Sequence, residues 1–144
     1  MRFERRFRVA APRQAVVEFH RRPEGFRALA PPLAPLTLHQ APAELDPGAR
    51  LSFTLWMGPL PVRWTARIEA HDGGFADTQE EGPFESWRHR HTFVAVDEST
   101  TEVRDQIEAR LPSGLARALV ALAVWLGLPA LFAYRRWKTR RVLE

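Results

Sequence analysis

The chain contains no cysteine, which excludes disulfides, thiolate catalysis and cysteine-ligated metals and fits a reducing compartment. Lysine is almost missing as well, for Lys138 is the only lysine among 21 basic residues. With plentiful Ala, Pro and Leu, that arginine use reads as a codon-composition bias rather than a functional choice. The net charge of +4 gives a mild preference for acidic surfaces. Neither an aromatic-and-basic recognition motif nor a zinc spacing is present, so no nucleic-acid partner is expected. The opening MRFERRFRVA lacks the apolar run of a signal peptide, and a cytoplasmic location is expected. No internal repeat or low-complexity linker interrupts the chain, which is read as a single domain, 1–144.

The patterns that are present predict an α+β domain. Phe3, Phe7 and Val9 alternate with Glu4, Arg6 and Arg8, giving an opening strand with one wet face. Pro12 suits the first position of a helix running to about Phe19, with Val16, Phe19 and Ala15 inward. A second short helix starts at Pro23, carries Phe26 and Leu29, and stops at Pro31-Pro32. From Leu36 to Leu111, strands follow one another with turns at Gly58-Pro59, Asp72-Gly73-Gly74, Gly82-Pro83 and Asp97-Glu98-Ser99. Connections this short make neighbouring strands antiparallel.

The run Phe75–Phe93, FADTQEEGPFESWRHRHTF, carries the most chemistry. Alternate residues of a strand face opposite sides, so Trp87, His89, His91 and Phe93 share one face and Arg88, Arg90 and Thr92 the other. The arginine row belongs to water, and both histidines are therefore carried inward. By the same alternation Asp77 and Gln79 share a face with Phe75, and Asp105 shares one with Val103 and Ile107. Cross-strand neighbours lie about 5 Å apart, so an Asp–His–Asp row is within reach. Three uses stay open for it: a structural hydrogen-bond network, a ligand-anchoring set, or an acid/base pair drawn from His89, His91 and Asp105. A lone His-x-His without a third spacing is a weak metal signal, and no metal is expected.

The order of elements and this run together resemble the START-like, or SRPBCC, superfamily. The likeness is to its bacterial cyclase/dehydrase-type ligand-binding proteins. It is carried by Asp77, Gln79, Gly82, Pro83, Phe84, Trp87, His89 and His91, then by RDQIEARLPSG and FAYRRW. What the resemblance implies is a helix-grip fold: a curved seven-stranded antiparallel sheet wrapped on a long C-terminal helix, with two short helices after strand one. It also implies an apolar cavity for a small hydrophobic ligand such as a lipid, polyketide or quinone, with no cofactor. Expected lining residues are Phe53, Trp64, Phe75, Asp77, Gln79, Trp87, His89, His91 and Asp105 from the sheet, and Leu122 and Leu126 from the helix. A cyclase or dehydratase using an inward His/Asp pair is the alternative.

The last element begins at Leu115. Leu115, Leu119, Leu122, Leu126, Ala130, Ala133 and Trp137 follow the i, i+4, i+7 rhythm and are expected to face the core. Val124, Leu128 and Leu131 are then a surplus outer face, open to a dimer contact or membrane-surface docking beside the basic cluster Arg135–Arg141. The uncharged run Ala118–Tyr134 reaches about 25 Å at 1.5 Å per residue, short of a full span, and packing on the sheet is expected instead. Pro129 is expected to kink the helix or to start a new turn there.

Overall fold

The alternation at the N-terminus forms β1 (Arg2–Val9), and the computed structural model, which describes residues 1–144, carries the chain on through two short helices. These are α1 (Arg13–Arg21) and α2 (Pro23–Ala28). The strands follow as β2 (Leu36–Gln40), β3 (Arg50–Met57), β4 (Leu60–His71), β5 (Gly74–Glu81), β6 (Ser86–Asp97) and β7 (Thr100–Arg110), and α3 (Leu115–Leu143) closes the chain. All seven strands lie in one antiparallel sheet of order β1-β7-β6-β5-β4-β3-β2. Only the β1–β2 crossover, spanned by α1 and α2, joins distant strands.

The period-2 pattern decides which residues reach the core. On β6, Trp87, His89, His91 and Phe93 are buried; on β7, Thr101, Val103, Asp105, Ile107 and Ala109 are. The hairpin between β4 and β5 turns on Gly73, whose φ of 79° suits glycine. Next to it, a Cβ at Gly74 would meet the His91 carbonyl oxygen at 1.8 Å, so the start of β5 runs close against the middle of β6.

α1 and the turn before it are pinned to the sheet by polar contacts. Arg13 Nε donates to the Phe93 carbonyl at 2.8 Å, and the Thr101 hydroxyl donates to the Ala11 carbonyl at 2.9 Å. The buried stripe of α1 is Val16 and His20, with Phe19 only half-buried, so the expected Phe19 contact is displaced by one residue.

The rotation of α3 differs from the expectation. Ala121, Leu128, Phe132 and Thr139 are its buried residues, spaced as one helical face, and Val124, Trp125 and Leu131 flank them. The stripe beginning Leu115, Leu119 and Leu126 instead points outward, at 78%, 56% and 75% exposure. Ring geometry chooses between the two apolar stripes. Phe132 packs on Phe3 at 5.2 Å, and Trp125 meets both Phe3 and Phe84 at 6.4 Å. The aromatic stripe has larger rings to bury, and it is the one taken inside. Pro129 lies on the exposed side, and α3 runs as one helix from Leu115 to Leu143 rather than restarting there.

Candidate functional site

Between the sheet and the inner face of α3 lies a cavity of about 120 Å³. Phe53, Trp64, Phe75 and Trp87 line it from the sheet, while Leu128, Leu131 and Phe132 close it from the helix. The aromatic rings are mutually packed: Trp64 is stacked on Phe53 at 5.9 Å and meets Trp87 edge-on at 5.0 Å. Sheet alternation alone delivers these residues, because each sits at an inward position of its strand.

The other end of the cavity is polar. The register sets Asp77 opposite His89 and His91 opposite Asp105, with β6 between the two carboxylate-bearing strands. The shortest contacts run diagonally. His89 Nε2 lies 2.8 Å from Asp105 Oδ1, and His91 Nε2 lies 2.8 Å from Asp77 Oδ2. The two imidazoles are 3.7 Å apart between centroids and tilted by 35°. His89 Nδ1 is 3.6 Å from Asp77, and His91 Nδ1 is 3.3 Å from Asp105 but not aimed to bond it. The result is a closed quartet in which each carboxylate serves both rings.

Its protonation follows from burial and pairing. Burial opposes an imidazolium at His91, yet the close Asp105 and Asp77 carboxylates outweigh it and raise its pKa to about 9. For His89, burial and then the His91 charge lower the pKa, only partly offset by the carboxylates, so that ring is neutral. Burial works against the Asp105 and Asp77 anions too, but hydrogen bonds and charge from the histidines hold both below the usual carboxylate range. The quartet therefore holds one proton beyond neutral imidazoles, on His91, and two carboxylates. Asp77, His89 and His91 offer donor atoms within 4.8 Å of one another, a spacing a cation could use. In the observed arrangement each Nε2 is occupied by a carboxylate at hydrogen-bond distance, which puts a proton rather than an ion between them.

Of the residues expected to line the cavity, Phe53, Trp64, Phe75, Asp77, Trp87, His89, His91 and Asp105 do so. Three do not. Leu126 is turned to the outside and Leu122 lies off the inner face, both because α3 is rotated. Gln79 is occupied elsewhere: its amide donates to the Phe84 carbonyl at 2.8 Å, and its carbonyl oxygen accepts from the Phe84 amide at 3.2 Å. It clamps the β5–β6 connection, which seats Phe84 at 1% exposure beside Trp87.

Three polar residues of the cavity wall were not anticipated. His20, one turn beyond Val16 on α1, bonds the Val16 carbonyl at 2.8 Å, and burial lowers its pKa to about 4. Arg135 and Thr139 reach the cavity from α3. An i, i+4 spacing was their only sequence signal, and Arg135 is hidden there as the first member of a basic run.

No protein-family model and no curated protein matches the chain. Solved structures match it over nearly its full length. The Zhui aromatase/cyclase from Streptomyces sp. R1128 is 16% identical with a TM-score of 0.68, covering 99% of this chain and 95% of that one. Norcoclaurine synthase from Thalictrum flavum, in complex with dopamine and hydroxybenzaldehyde, is 13% identical with a TM-score of 0.68, covering 99% and 85%. A START superfamily protein from Mycobacterium smegmatis is 11% identical with a TM-score of 0.61, covering 91% and 93%. The fold is thus the helix grip that the sequence leads one to expect, shared with these structures, and at these identities the likeness is one of fold alone.

Proposed function

We propose that the protein binds a small apolar or amphipathic molecule in the cavity between the sheet and α3. The observation that carries this reading is a buried hollow walled by Trp64, Trp87, Phe53 and Leu128, with one polar end built from four titratable side chains. An apolar body gains about 25 cal/mol per Å² on leaving water, and a few convergent polar groups set its orientation. Size narrows the class. A dry cavity of about 150 Å³ admits benzene, so the 120 Å³ present here limits the ligand to a single ring or a short chain at most. A similar fold, norcoclaurine synthase, was solved with two single-ring compounds, dopamine and hydroxybenzaldehyde. Each Nε2 of the histidine pair is held by a carboxylate at 2.8 Å, which fixes both rings as an ordered polar wall for a bound molecule.

The experiment is titration with toluene, followed by native mass spectrometry and thermal unfolding. Saturable one-to-one uptake and a melting temperature that climbs with toluene concentration are expected. Absence of uptake up to the solubility limit contradicts the reading.

A second contact is favoured by the outer face of α3. Leu115, Leu119, Leu126 and Trp137 are exposed there, and Arg136, Lys138, Arg140 and Arg141 follow at its end. By length and composition α3 could cross a membrane, with 22% of its most apolar stretch buried. Removing it would strip the sheet of its cover, so we place it on a membrane surface rather than through one. Flotation with phosphatidylserine vesicles should carry the protein upward at low salt and lose it at high salt. A protein that ignores such vesicles, or that hides this face in a dimer by light scattering, eliminates the assignment.

A further inference from the structure

Besides His91 Nδ1, two side chains of α3 that line the cavity hold buried polar atoms without a hydrogen-bond partner. Thr139 has 0% exposure, and its Oγ1 has no hydrogen-bond partner. Arg135, one turn earlier on the same face of α3, has a buried Nε that is likewise unpartnered, and its guanidinium makes no ion pair. Its guanidinium carbon lies 5.1 Å from the centre of the Phe132 ring. Arg50 Nε bonds Glu80 at 2.7 Å and Arg140 Nε bonds the Arg8 carbonyl at 2.9 Å, while Arg88, whose Nε is also unpartnered, still pairs its Nη2 with Glu69 at 3.5 Å. A buried hydroxyl left without a partner is unfavourable and a charged donor more so, and an unpartnered pair beside a cavity points to an acceptor from outside.

The charges of the interior make the vacancy more telling. Asp77 and Asp105 are anions, His91 and Arg135 are cations, and His89 and His20 are neutral, which sums to zero. Arg135 is thus compensated in charge by carboxylates whose oxygens bond the imidazoles and not the guanidinium. Its donors stay free. A guanidinium presents a planar fork that matches a carboxylate, and the threonine hydroxyl adds a third donor one turn away.

We propose that Arg135 and Thr139 anchor the carboxylate of a small acid whose apolar body fills the aromatic part of the cavity. This rests on the cavity being a ligand site, and it names the ligand as a single-ring or short-chain carboxylic acid. Arg135 holds the anion, Thr139 fixes its second oxygen, and the imidazole–carboxylate quartet orders the neighbouring wall.

The test compares benzoate, benzamide and toluene by calorimetry on the full chain at pH 7, in the wild type and in Arg135→Met, Arg135→Lys and Thr139→Val. Benzoate should bind wild type about tenfold or more tighter than benzamide or toluene, as a charge-assisted pair out of water requires. Arg135→Met should erase that preference while toluene still binds, and Arg135→Lys should keep only part of it. Thr139→Val, which preserves shape, should weaken benzoate about threefold to tenfold without lowering the melting temperature. Toluene binding with no benzoate preference, or a preference that survives Arg135→Met and Thr139→Val, overturns the anchor and leaves the cavity standing. Failure of all three probes overturns both.

Discussion

Along α3, Leu128 and Phe132 are 1% and 4% exposed, while Leu119 and Leu126 on the opposite side are 56% and 75% exposed. The two faces have nearly the same chemistry: leucine and alanine, and a tryptophan each, Trp125 flanking the inner and Trp137 on the outer. What separates them is which rings have partners. Trp125 and Phe132 meet Phe3, and Trp125 also meets Phe84, whereas Trp137 has only Tyr134 and the Arg141 guanidinium beside it. Burial of a helix face is decided by the shape of what it meets, and apolarity alone does not decide it.

The comparison breaks most readily at its largest expected effect. Phe132→Ala should cost about 3–5 kcal/mol in denaturant unfolding, since it removes a ring from the centre of the core. Equal losses for Phe132→Ala and Leu126→Ala would show that the two faces are not distinct. Somewhat smaller, His91→Gln should cost on the order of 3 kcal/mol near neutral pH, because it leaves Asp77 and Asp105 short of their buried partner.

Proton linkage sharpens the same point. The folded pKa of His91, about 9, stands above the ordinary 6.5, so the protonated form is favoured in the native state. That contribution is complete below pH 6.5 and is lost as pH rises through 9, amounting to roughly 3 kcal/mol at 1.36 kcal/mol per unit. Unfolding curves across this window should fall for the wild type and stay flat for His91→Gln. A flat wild-type profile contradicts an ionised quartet. His20 acts at the other side: its lowered pKa makes the neutral ring native, and stability is lost as pH falls from 6.5 towards 4.

Next in size, Gln79→Ala should cost about 1–2 kcal/mol through its two bonds to Phe84, without changing toluene affinity. Smallest of all, Leu126→Ser should shift stability by under about 0.5 kcal/mol while reducing vesicle flotation.

Much of this arrangement was legible in the residues. Period-2 alternation placed His89, His91, Asp77 and Asp105 on one inner surface, and the register brings all four into contact. Gln79 obeyed the alternation but spent its amide on the Phe84 backbone, a local side-chain bond that strand periodicity does not encode. α3 defeated the pattern for a different reason. Its middle is apolar on every side, so no polar stripe marks the outside, and the i, i+4, i+7 rhythm fits Leu115–Leu126 as well as Ala121–Phe132. Only the position of Phe3 and Phe84, set by distant parts of the chain, breaks the tie. Arg135 and Thr139 were lost with it, since their inward direction depends on that rotation.

The most direct test is a toluene titration followed on labelled leucine methyl groups by NMR. Saturable shifts at Leu128 and Leu131, with Leu119 and Leu126 unmoved, are the expected result. Shifts confined to Leu119 and Leu126, or none that saturate, would contradict a ligand hollow beneath the inner face of α3.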